Sequence, residues 1–408
     1  MHKIECLLQT LAPKGVEFKK IGEICLIKRG RVIAKTILQE NGKYPVYSSQ
    51  TLNNGILGFI DTYDFDGEFL TWTTDGAYAG SVFYRNGRFS ITNVCGLLQV
   101  IQDNILHKYL YYILQITAPL HVNPGMGNPK LMSVAMQQIT IPIPPLEIQQ
   151  EIVKILDAFT ELNTELNTEL KARKKQYQYY QNMLLDFNGI NQNHKDAKMS
   201  AKPYPKRLKT LLQTLAPKGV EFRKLGEVLE YDQPNKYCVT SKEFDKSYPT
   251  PVLTAGKTFI LGYTNEKDNI YQASKNAPVI IFDDFTTATQ WVDFPFKVKS
   301  SAMKILFSKN PTINIRFIFF YMQTIPYNIS GEHTRQWISR YSQLEVPIPP
   351  LEIQQEIVKI LDQFSLLTTD LLAGIPAEIK ARKKQYEYYR EKLLTFKPLT
   401  PLNNKELA

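Results

Sequence analysis

Apolar residues recur every three or four positions along a stretch that this chain contains twice. In the first copy the recurring residues are Ile148, Ile152, Ile155, Phe159, Leu162, Leu166 and Leu170. That spacing predicts an amphipathic helix, because residues three and four apart lie on one helical face. About forty residues at 1.5 Å each would give a helix roughly 60 Å long. Such a stripe is too long to bury against one globule, so we expect a partner helix, and the second copy, Ile353 to Leu393, supplies one.

The repetition extends to three blocks of sequence. They are PIPPLEIQQEIVKILD (Pro142 to Asp157, Pro347 to Asp362), ARKKQY (Ala172 to Tyr177, Ala381 to Tyr386) and LLQTLAPKGVEF (Leu7 to Phe18, Leu211 to Phe222). A period of roughly 200 residues is the size of a domain with its connector, which indicates a tandem duplication. Only the second helix is interrupted, at Gly374 and Pro376, where we expect a break or kink.

The segments between the blocks read as short strands separated by turn signals, such as Asn53-Asn54-Gly55, and each ends in an aromatic helix. Both also carry a Thr-Thr step, Thr73-Thr74 and Thr286-Thr287, which favours a shared scaffold with diverged loops. The predicted fold class is α+β, with two globular α/β domains separated by two long helices in a coiled coil, related by a pseudo-twofold internal repeat. The predicted boundaries are 1–22 for the repeated N-terminal segment, 23–145 for globule 1, 146–187 for the central helix, 188–226 for a linker and repeated segment, 227–350 for globule 2, 351–396 for the C-terminal helix and 397–408 for a tail.

Composition adds a preference for polyanions. The 408 residues carry a formal net charge of +10, with a pI near 9.1. This excess favours a nucleic-acid partner without establishing one. No apolar run reaches the roughly 18 residues that span a bilayer, and no signal peptide opens the chain, so we expect a cytoplasmic protein with no membrane partner. The four cysteines are scattered and the five histidines lack metal-ligand spacing, so we expect reduced thiols and no metal site.

A search for catalytic motifs gives no convincing candidate. Gly125-Met126-Gly127 lacks the third glycine of a dinucleotide loop, and no Walker loop is present. Asn123-Pro124 is a weak match to an amino-methyltransferase loop and is better explained as a turn. Asp283-Asp284 follows a predicted strand and has three interpretations: a Mg²⁺ ligand pair, a turn, or acceptors for a cytosine amino group. We therefore expect no catalytic residues and no cofactor on this chain.

The loops instead carry residue types that read base edges. Asn and Gln can pair with adenine, and Arg and Lys with guanine. The candidate DNA-binding residues are Ser48, Ser49, Gln50, Asn53, Asn54, Thr73, Thr74, Asp75, Asn128, Lys130, Thr254, Lys257, Lys275, Thr286, Thr287, Arg335, Gln336 and Arg340. The ARKK runs, Arg173 to Lys175 and Arg382 to Lys384, are either phosphate contacts or a solvated helix face, which we favour. The neighbouring Tyr177, Tyr179 and Tyr180 are expected in the helix–helix seam.

The doubled PIPPLEIQQEIVKILD, LAPKGVEF and ARKKQY blocks resemble those of specificity subunits of type I restriction–modification systems, over essentially the whole chain. The resemblance implies two target-recognition domains held apart by antiparallel helices, each domain reading half of a bipartite, asymmetric site in double-stranded DNA. It also implies that the helices dock methyltransferase subunits, that restriction and translocase subunits join the complex, and that S-adenosylmethionine, ATP and Mg²⁺ are bound by those partners.

The run TELNTELNTEL, Thr160 to Leu170, is either ordinary helix-favouring sequence or, as the resemblance implies, a spacer gauge. One four-residue unit adds about 6 Å and about 40° of rotation to a helix. Two rivals to a DNA-reading subunit remain. One is an enzyme, either a fused methyltransferase or a stand-alone nuclease, and methyl transfer by the purified chain alone would support the first. The other is a coiled-coil scaffold without DNA specificity.

Overall fold

The structure of the chain, a computed structural model, describes residues 2–125, 127–187, 204–255, 258–308, 310–326, 334–369 and 374–399. The helices are α1 His2–Leu11, α2 Ile21–Ile24, α3 His107–Thr117, α4 Ser133–Gln138, α5 Leu146–Leu185, α6 Lys206–Leu215, α7 Leu225–Val228, α8 Ile315–Met322, α9 Leu351–Thr369 and α10 Ile375–Leu394. The strands are β1 Glu17–Lys20, β2 Cys25–Arg29, β3 Tyr44–Tyr47, β4 Ile56–Ile60, β5 Phe65–Thr73, β6 Val82–Ile91, β7 Cys95–Val100, β8 Thr140–Ile143, β9 Glu221–Lys224, β10 Glu230–Asp232, β11 Thr250–Leu253, β12 Ile260–Thr264, β13 Val279–Asp283, β14 Thr289–Val292, β15 Lys297–Val298, β16 Met303–Phe307 and β17 Glu345–Ile348. The contacts divide the chain into unit 1, Met1–Leu166 with Ile379–Ala408, and unit 2, Asn167–Glu378. Most of the predicted linker, 188–203, lies outside the described residues.

The repeated blocks of each unit pair with one another as a two-stranded ribbon. In unit 1, β1 lies antiparallel to β8, with Phe18 opposite Pro142. In unit 2, β9 lies antiparallel to β17, with Phe222 opposite Pro347. In each copy, the end of the GVEF sequence therefore pairs with the start of the PIPP sequence. Each ribbon brings the two ends of its globule together at the start of a long helix.

The two globules share one strand topology. Unit 1 has a six-stranded sheet in the order β2-β7-β5-β6-β3-β4, in which β3 and β6 run parallel and the other neighbours antiparallel. Unit 2 has the same order in two pieces, β10-β16-β13-β14 and β15-β11-β12, and among its described strands β11 and β15 run parallel, as β3 and β6 do in unit 1. The predicted shared scaffold is confirmed.

The matched Thr-Thr steps, by contrast, are not equivalent positions. The Thr73 amide donates to the Ser81 carbonyl across the β5–β6 hairpin, and the Asp283 amide donates to the Ala288 carbonyl across the β13–β14 hairpin. Thr73-Thr74 therefore corresponds to Asp283-Asp284, whereas Thr286 lies in the hairpin turn. The sequence match was wrong because the two hairpins have different lengths.

A buried glutamine fixes each long helix to its globule. The Gln149 Oε1 accepts a hydrogen bond from the Leu106 amide at 2.9 Å, just before α3. In unit 2, Gln354 accepts from the Asn314 amide at 2.8 Å, just before α8. Both glutamines are fully buried, and each also donates to two main-chain carbonyls. The repeated EIQQEI sequence thus contains the attachment point of the helix.

The long helices pair antiparallel within each unit. In unit 1, Leu393 and Leu394 at the end of α10 share a core with Ile148 and Ile152 at the start of α5. Farther along the same pair, Phe159 stacks on Tyr389 with ring centroids 5.6 Å apart.

Unit 2 repeats this arrangement with the distal half of α5. Tyr180 stacks on Phe364 of α9 at 5.1 Å, and Tyr177 packs against the same core. Tyr179 and its counterpart Tyr388 are 56% and 59% exposed, so the prediction that they belong to the seam was wrong. Tyr177 and Tyr180 face the seam and Tyr179 does not, because adjacent residues point 100° apart on a helix.

The second long helix is interrupted as predicted. The described residues place the end of α9 at Thr369, Gly374 outside any helix and the start of α10 at Ile375. Among all the helices in these described ranges, none has the length and apolar character needed to cross a membrane.

Candidate nucleic-acid interface

The turn between β3 and β4 carries five of the predicted DNA-binding residues. Asn53 and Asn54 have φ values of 49° and 54°, in the left-handed region that asparagine tolerates, and both are exposed. The Gln50 side-chain amide donates to the first carbonyl of β4, and the Ser48 amide donates across the turn at 3.0 Å. Ser48, Ser49 and Gln50 are half-buried. The turn is thus internally braced and presents the two asparagines to solvent.

The end of β5 and the loop before α4 bring five more predicted residues together. Asp75 and Lys130 form an isolated antiparallel bridge, and the Thr74 carbonyl accepts from the Leu131 amide at 2.8 Å. Lys130 and Asn128 are exposed. Thr73 and Thr74 are 1% and 0% exposed, because the end of β5 is covered on both faces, so their side chains do not face solvent.

The β6–β7 turn joins these two clusters, and sequence reasoning missed it. The Thr92 hydroxyl donates to the Ser48 hydroxyl at 2.9 Å, on the side of the asparagine turn. The Val94 carbonyl accepts from the Thr74 amide at 3.2 Å, on the side of the Lys130 loop. Arg29, which is exposed, donates to a main-chain carbonyl of this turn at 2.6 Å. Thr92 and Arg29 carried no signal beyond being polar residues at strand ends.

Asp284 organises the corresponding loop of unit 2. It is fully buried, and its Oδ1 accepts from the amides of Gln336 at 3.1 Å and Trp337 at 2.9 Å. The Lys304 Nζ lies 3.5 Å from its Oδ2 and the Arg335 Nη1 lies 3.9 Å away. A buried carboxylate with these partners holds the loop in place, and it is not exposed to accept from a cytosine amino group.

Lys130 and Arg335 occupy equivalent positions in the two units. The amide of the residue after Lys130 donates to the Thr74 carbonyl at 2.8 Å, and the Gln336 amide donates to the Asp284 carbonyl at the same distance. Both basic side chains are exposed, Arg335 by 48%. Two sequence-predicted residues thus lie at one place on the shared scaffold, although their loops have no sequence in common.

The turn interpretation of Asp283 is confirmed. Its carboxylate accepts from the amides of Phe285 and Thr286, at 2.9 and 3.2 Å, and from the Thr286 hydroxyl at 2.6 Å. Thr286 is exposed, and Thr287 has a φ of 60°. Over the described residues, no group of three or more His, Cys, Asp or Glu is arranged to hold a metal ion.

The remaining candidates of unit 2 are more dispersed. Thr254 follows β11 and is half-buried, and Lys275 is exposed in the turn before β13. Arg340 is exposed after the Asp284 loop, whereas Gln336 is 1% exposed, with its side chain donating within the loop. Lys257 lies outside the described residues.

The basic runs on the long helices form solvated faces. The four lysines of the two runs are exposed, Arg173 donates to the Gln176 side chain and Arg382 donates to the Gln385 side chain, both at 3.2 Å. These local bonds one turn apart fit the favoured interpretation of a solvated helix face.

Comparison with known proteins shows which family has this architecture. The family described as the type I restriction modification DNA specificity domain matches residues 13–175 and 217–381, one match in each half. The chain is 36% identical over 383 residues to a putative type I specificity subunit, S.MpnORF507P of Mycoplasma pneumoniae, covering 92% of this chain and 96% of that protein. It is 55% identical over 188 residues to the EcoR124I/EcoR124II specificity subunit of Escherichia coli, covering 44% of this chain and 45% of the relative.

The fold has a counterpart among solved structures. The S subunit of a type I restriction–modification system from M. genitalium superposes with a TM-score of 0.61 at 16% identity, covering 95% of this chain and 97% of that one. At that identity the likeness concerns the fold alone. With matches in both halves and a full-length relative at 36% identity, the chain belongs to the family of type I restriction–modification DNA specificity subunits.

Proposed function

We propose that each globule of this specificity subunit reads one half of a bipartite DNA site. The observation that carries this is the equivalence of Lys130 and Arg335, two exposed basic residues at one position of a shared scaffold. Such side chains pair with guanine edges or with phosphates. Around them the two units present different residues: Asp75, Asn53 and Asn54 in unit 1, and Thr286 in unit 2. Two globules that share one scaffold but present different residues to DNA predict two half-sites of different sequence.

The net charge of +10 supports the part of this proposal that concerns affinity for DNA. Exposed lysine and arginine neutralise phosphates and release counterions, so binding should weaken steeply as salt rises. Contacts between the loops and the bases then determine which DNA sequence is bound. An interaction scaffold without DNA specificity would show no preference for sequence, even where its charge gives salt-dependent binding.

We further propose that the repeated surfaces dock equivalent partner subunits. The segments Pro142 to Asp157 and Pro347 to Asp362 are identical in sequence, and each carries an exposed Glu at the start of its helix. Identical surfaces in both units suit two copies of the same partner, for which the methyltransferase subunit is the candidate. Restriction and translocase subunits would join through that complex, and S-adenosylmethionine, ATP and Mg²⁺ would be bound by the partners.

The test is the pattern of methylated adenines in a host that expresses this chain with its methyltransferase partner and no other system. The proposal predicts a single non-palindromic motif in two parts separated by unspecified bases. A contiguous palindrome would contradict two unlike readers. Methyl transfer by the purified chain without partners would instead support the enzyme alternative.

A further inference from the structure

Arg85 is a buried cation in the middle of the unit 1 sheet. Its side chain projects from β6, and the residue is 3% exposed. The guanidinium carbon lies 3.5 Å from the ring centroid of Tyr47, and Nε donates to the Thr71 hydroxyl at 3.1 Å. Nη1 is buried and has no hydrogen-bond partner. Burial lowers the pKa of Arg85, although a hydrogen bond with the Tyr47 side chain works in the opposite direction.

No carboxylate in the described part of the chain forms an ion pair with Arg85, which distinguishes it from the buried lysines. Lys297, 1% exposed, lies 2.7 Å from Glu266. Lys304, 2% exposed, lies 3.5 Å from Asp284. A buried charge without a counterion is costly, so proteins normally pair it or use it. Over the residues that the structure describes, unit 2 pairs its two buried cations, Lys297 and Lys304, whereas Arg85 of unit 1 has no counterion.

The position of Arg85 connects it to the candidate interface. It lies beneath Gly55, where a methyl group added to the glycine would come within 3.0 Å of Nη2, and Gly55 directly follows the exposed Asn53 and Asn54. On the same face of the sheet, two residues beyond Thr71, the Thr73 hydroxyl is also buried without a hydrogen-bond partner. Two buried polar groups without hydrogen-bond partners therefore lie on one face of the sheet, and one of them, Arg85, lies under the turn that presents the asparagines.

We propose that Arg85 contacts DNA, which supplies the acceptors that Nη1 lacks in the protein. This inference rests on the proposed function and deepens it by naming a DNA-contacting residue of unit 1. The ligand chemistry is a pair of adjacent acceptors that matches a guanidinium edge, found both in phosphate oxygens and in guanine N7 and O6. Contact requires the turn at Gly55 to shift off the guanidinium.

The experiment compares Arg85→Gln with Arg88→Gln in the complex with the methyltransferase partner. Arg88 lies on the same strand, is 50% exposed and is paired with Asp66 at 2.9 Å, so it matches the loss of charge without the burial. We expect Arg85→Gln to weaken binding of the cognate duplex roughly 10- to 100-fold, and Arg88→Gln to change it less than about 2-fold. The urea midpoint of the Arg85→Gln chain should stay the same or rise, because an unpaired buried charge has been removed.

Two further measurements distinguish a phosphate acceptor from a guanine acceptor. A phosphate contact predicts equal weakening for all duplexes and a salt slope reduced by about 1. A guanine contact predicts that the weakening disappears when one base of the first half-site is changed. Binding equal to wild type overturns the inference, as does a lowered urea midpoint with equal loss at both half-sites, which indicates a structural role. If the wild-type complex itself shows no sequence preference, the proposed function fails, independently of Arg85.

Discussion

Replacing Gln149 with methionine tests the attachment of the long helix to unit 1. The glutamine is fully buried and makes three hydrogen bonds: from the Leu106 amide at 2.9 Å, and to the carbonyls of Asn104 at 2.9 Å and Pro144 at 2.8 Å. Methionine fills a similar volume but leaves one donor and two acceptors unpaired. At about 1 kcal/mol for each net hydrogen bond, the change should cost about 3 kcal/mol.

The measurement is urea unfolding combined with hydrogen exchange resolved along the chain. A loss of about 3 kcal/mol corresponds to roughly 100-fold faster exchange where opening controls the rate, and the Leu106 amide should show it most clearly. Peptides of unit 2 should be unaffected. The mirror change, Gln354→Met, should produce the same loss in unit 2, because Gln354 makes the equivalent three bonds.

The chain provides its own control in the adjacent residue. Gln150 and Gln355 follow the buried glutamines in the repeated block, and both are exposed. Methionine at either position should change stability by less than about 0.5 kcal/mol. If Gln149→Met and Gln150→Met unfold at the same urea concentration, the buried glutamine does not attach the helix.

Three further predictions address other parts of the chain. Burial opposes ionisation of Glu266, but hydrogen bonds from Lys297 and nearby groups outweigh this effect and lower the pKa of Glu266 to about 2. The stability that the ionised carboxylate contributes is therefore fully present above pH 4.5 and is lost as the pH falls toward 2. Glu266→Gln should destabilise unit 2 by about 3 kcal/mol at pH 7. The difference in unfolding free energy between the variant and the wild type should narrow as the pH falls from 4.5 to 2. Phe159→Ala and Tyr389→Ala, whose rings stack at 5.6 Å, should show a coupling of about 1 kcal/mol in a double-mutant cycle. Deleting Asn163–Leu166 should shorten the unspecified spacer of the methylated motif and leave both halves intact, because it removes about 6 Å of helix.

Each of these predictions has a contradicting result. A Glu266→Gln difference that stays constant from pH 7 to pH 2 would mean that ionisation of this carboxylate is not what stabilises unit 2. Additive effects of the two aromatic changes would mean that the stack contributes nothing beyond burial. An unchanged spacer after the deletion would mean that the TELN run is ordinary helical sequence.

The architecture could be predicted from the sequence because it rests on local periodicity and repetition. The heptad-like spacing from Ile148 to Leu170 predicts α5, and Gly374 and Pro376 predict the interruption before α10. The pairing of β1 with β8 was not predictable in this way, because it joins segments more than a hundred residues apart.

The candidate interface could be predicted only in part. Lys130 and Arg335 were found by residue type, but their equivalence depends on main-chain hydrogen bonds in loops of unrelated sequence. Thr73 and Thr74 resemble surface residues in the sequence, yet they are buried because the end of β5 is covered on both faces. Arg85 was missed because an arginine in a polar strand segment is ordinarily exposed.

The central claim, one reader in each unit, is tested most directly by the methylated motifs of two paired variants. Asp75→Ala with Lys130→Ala alters unit 1, and Arg335→Ala with Arg340→Ala alters unit 2. In a host that expresses each variant with its partner subunits, sequencing of methylated adenines should show relaxed bases in one half of the motif for the first pair and in the other half for the second. If both pairs relax the same half, or either pair alters both halves equally, the account of two independent readers is contradicted.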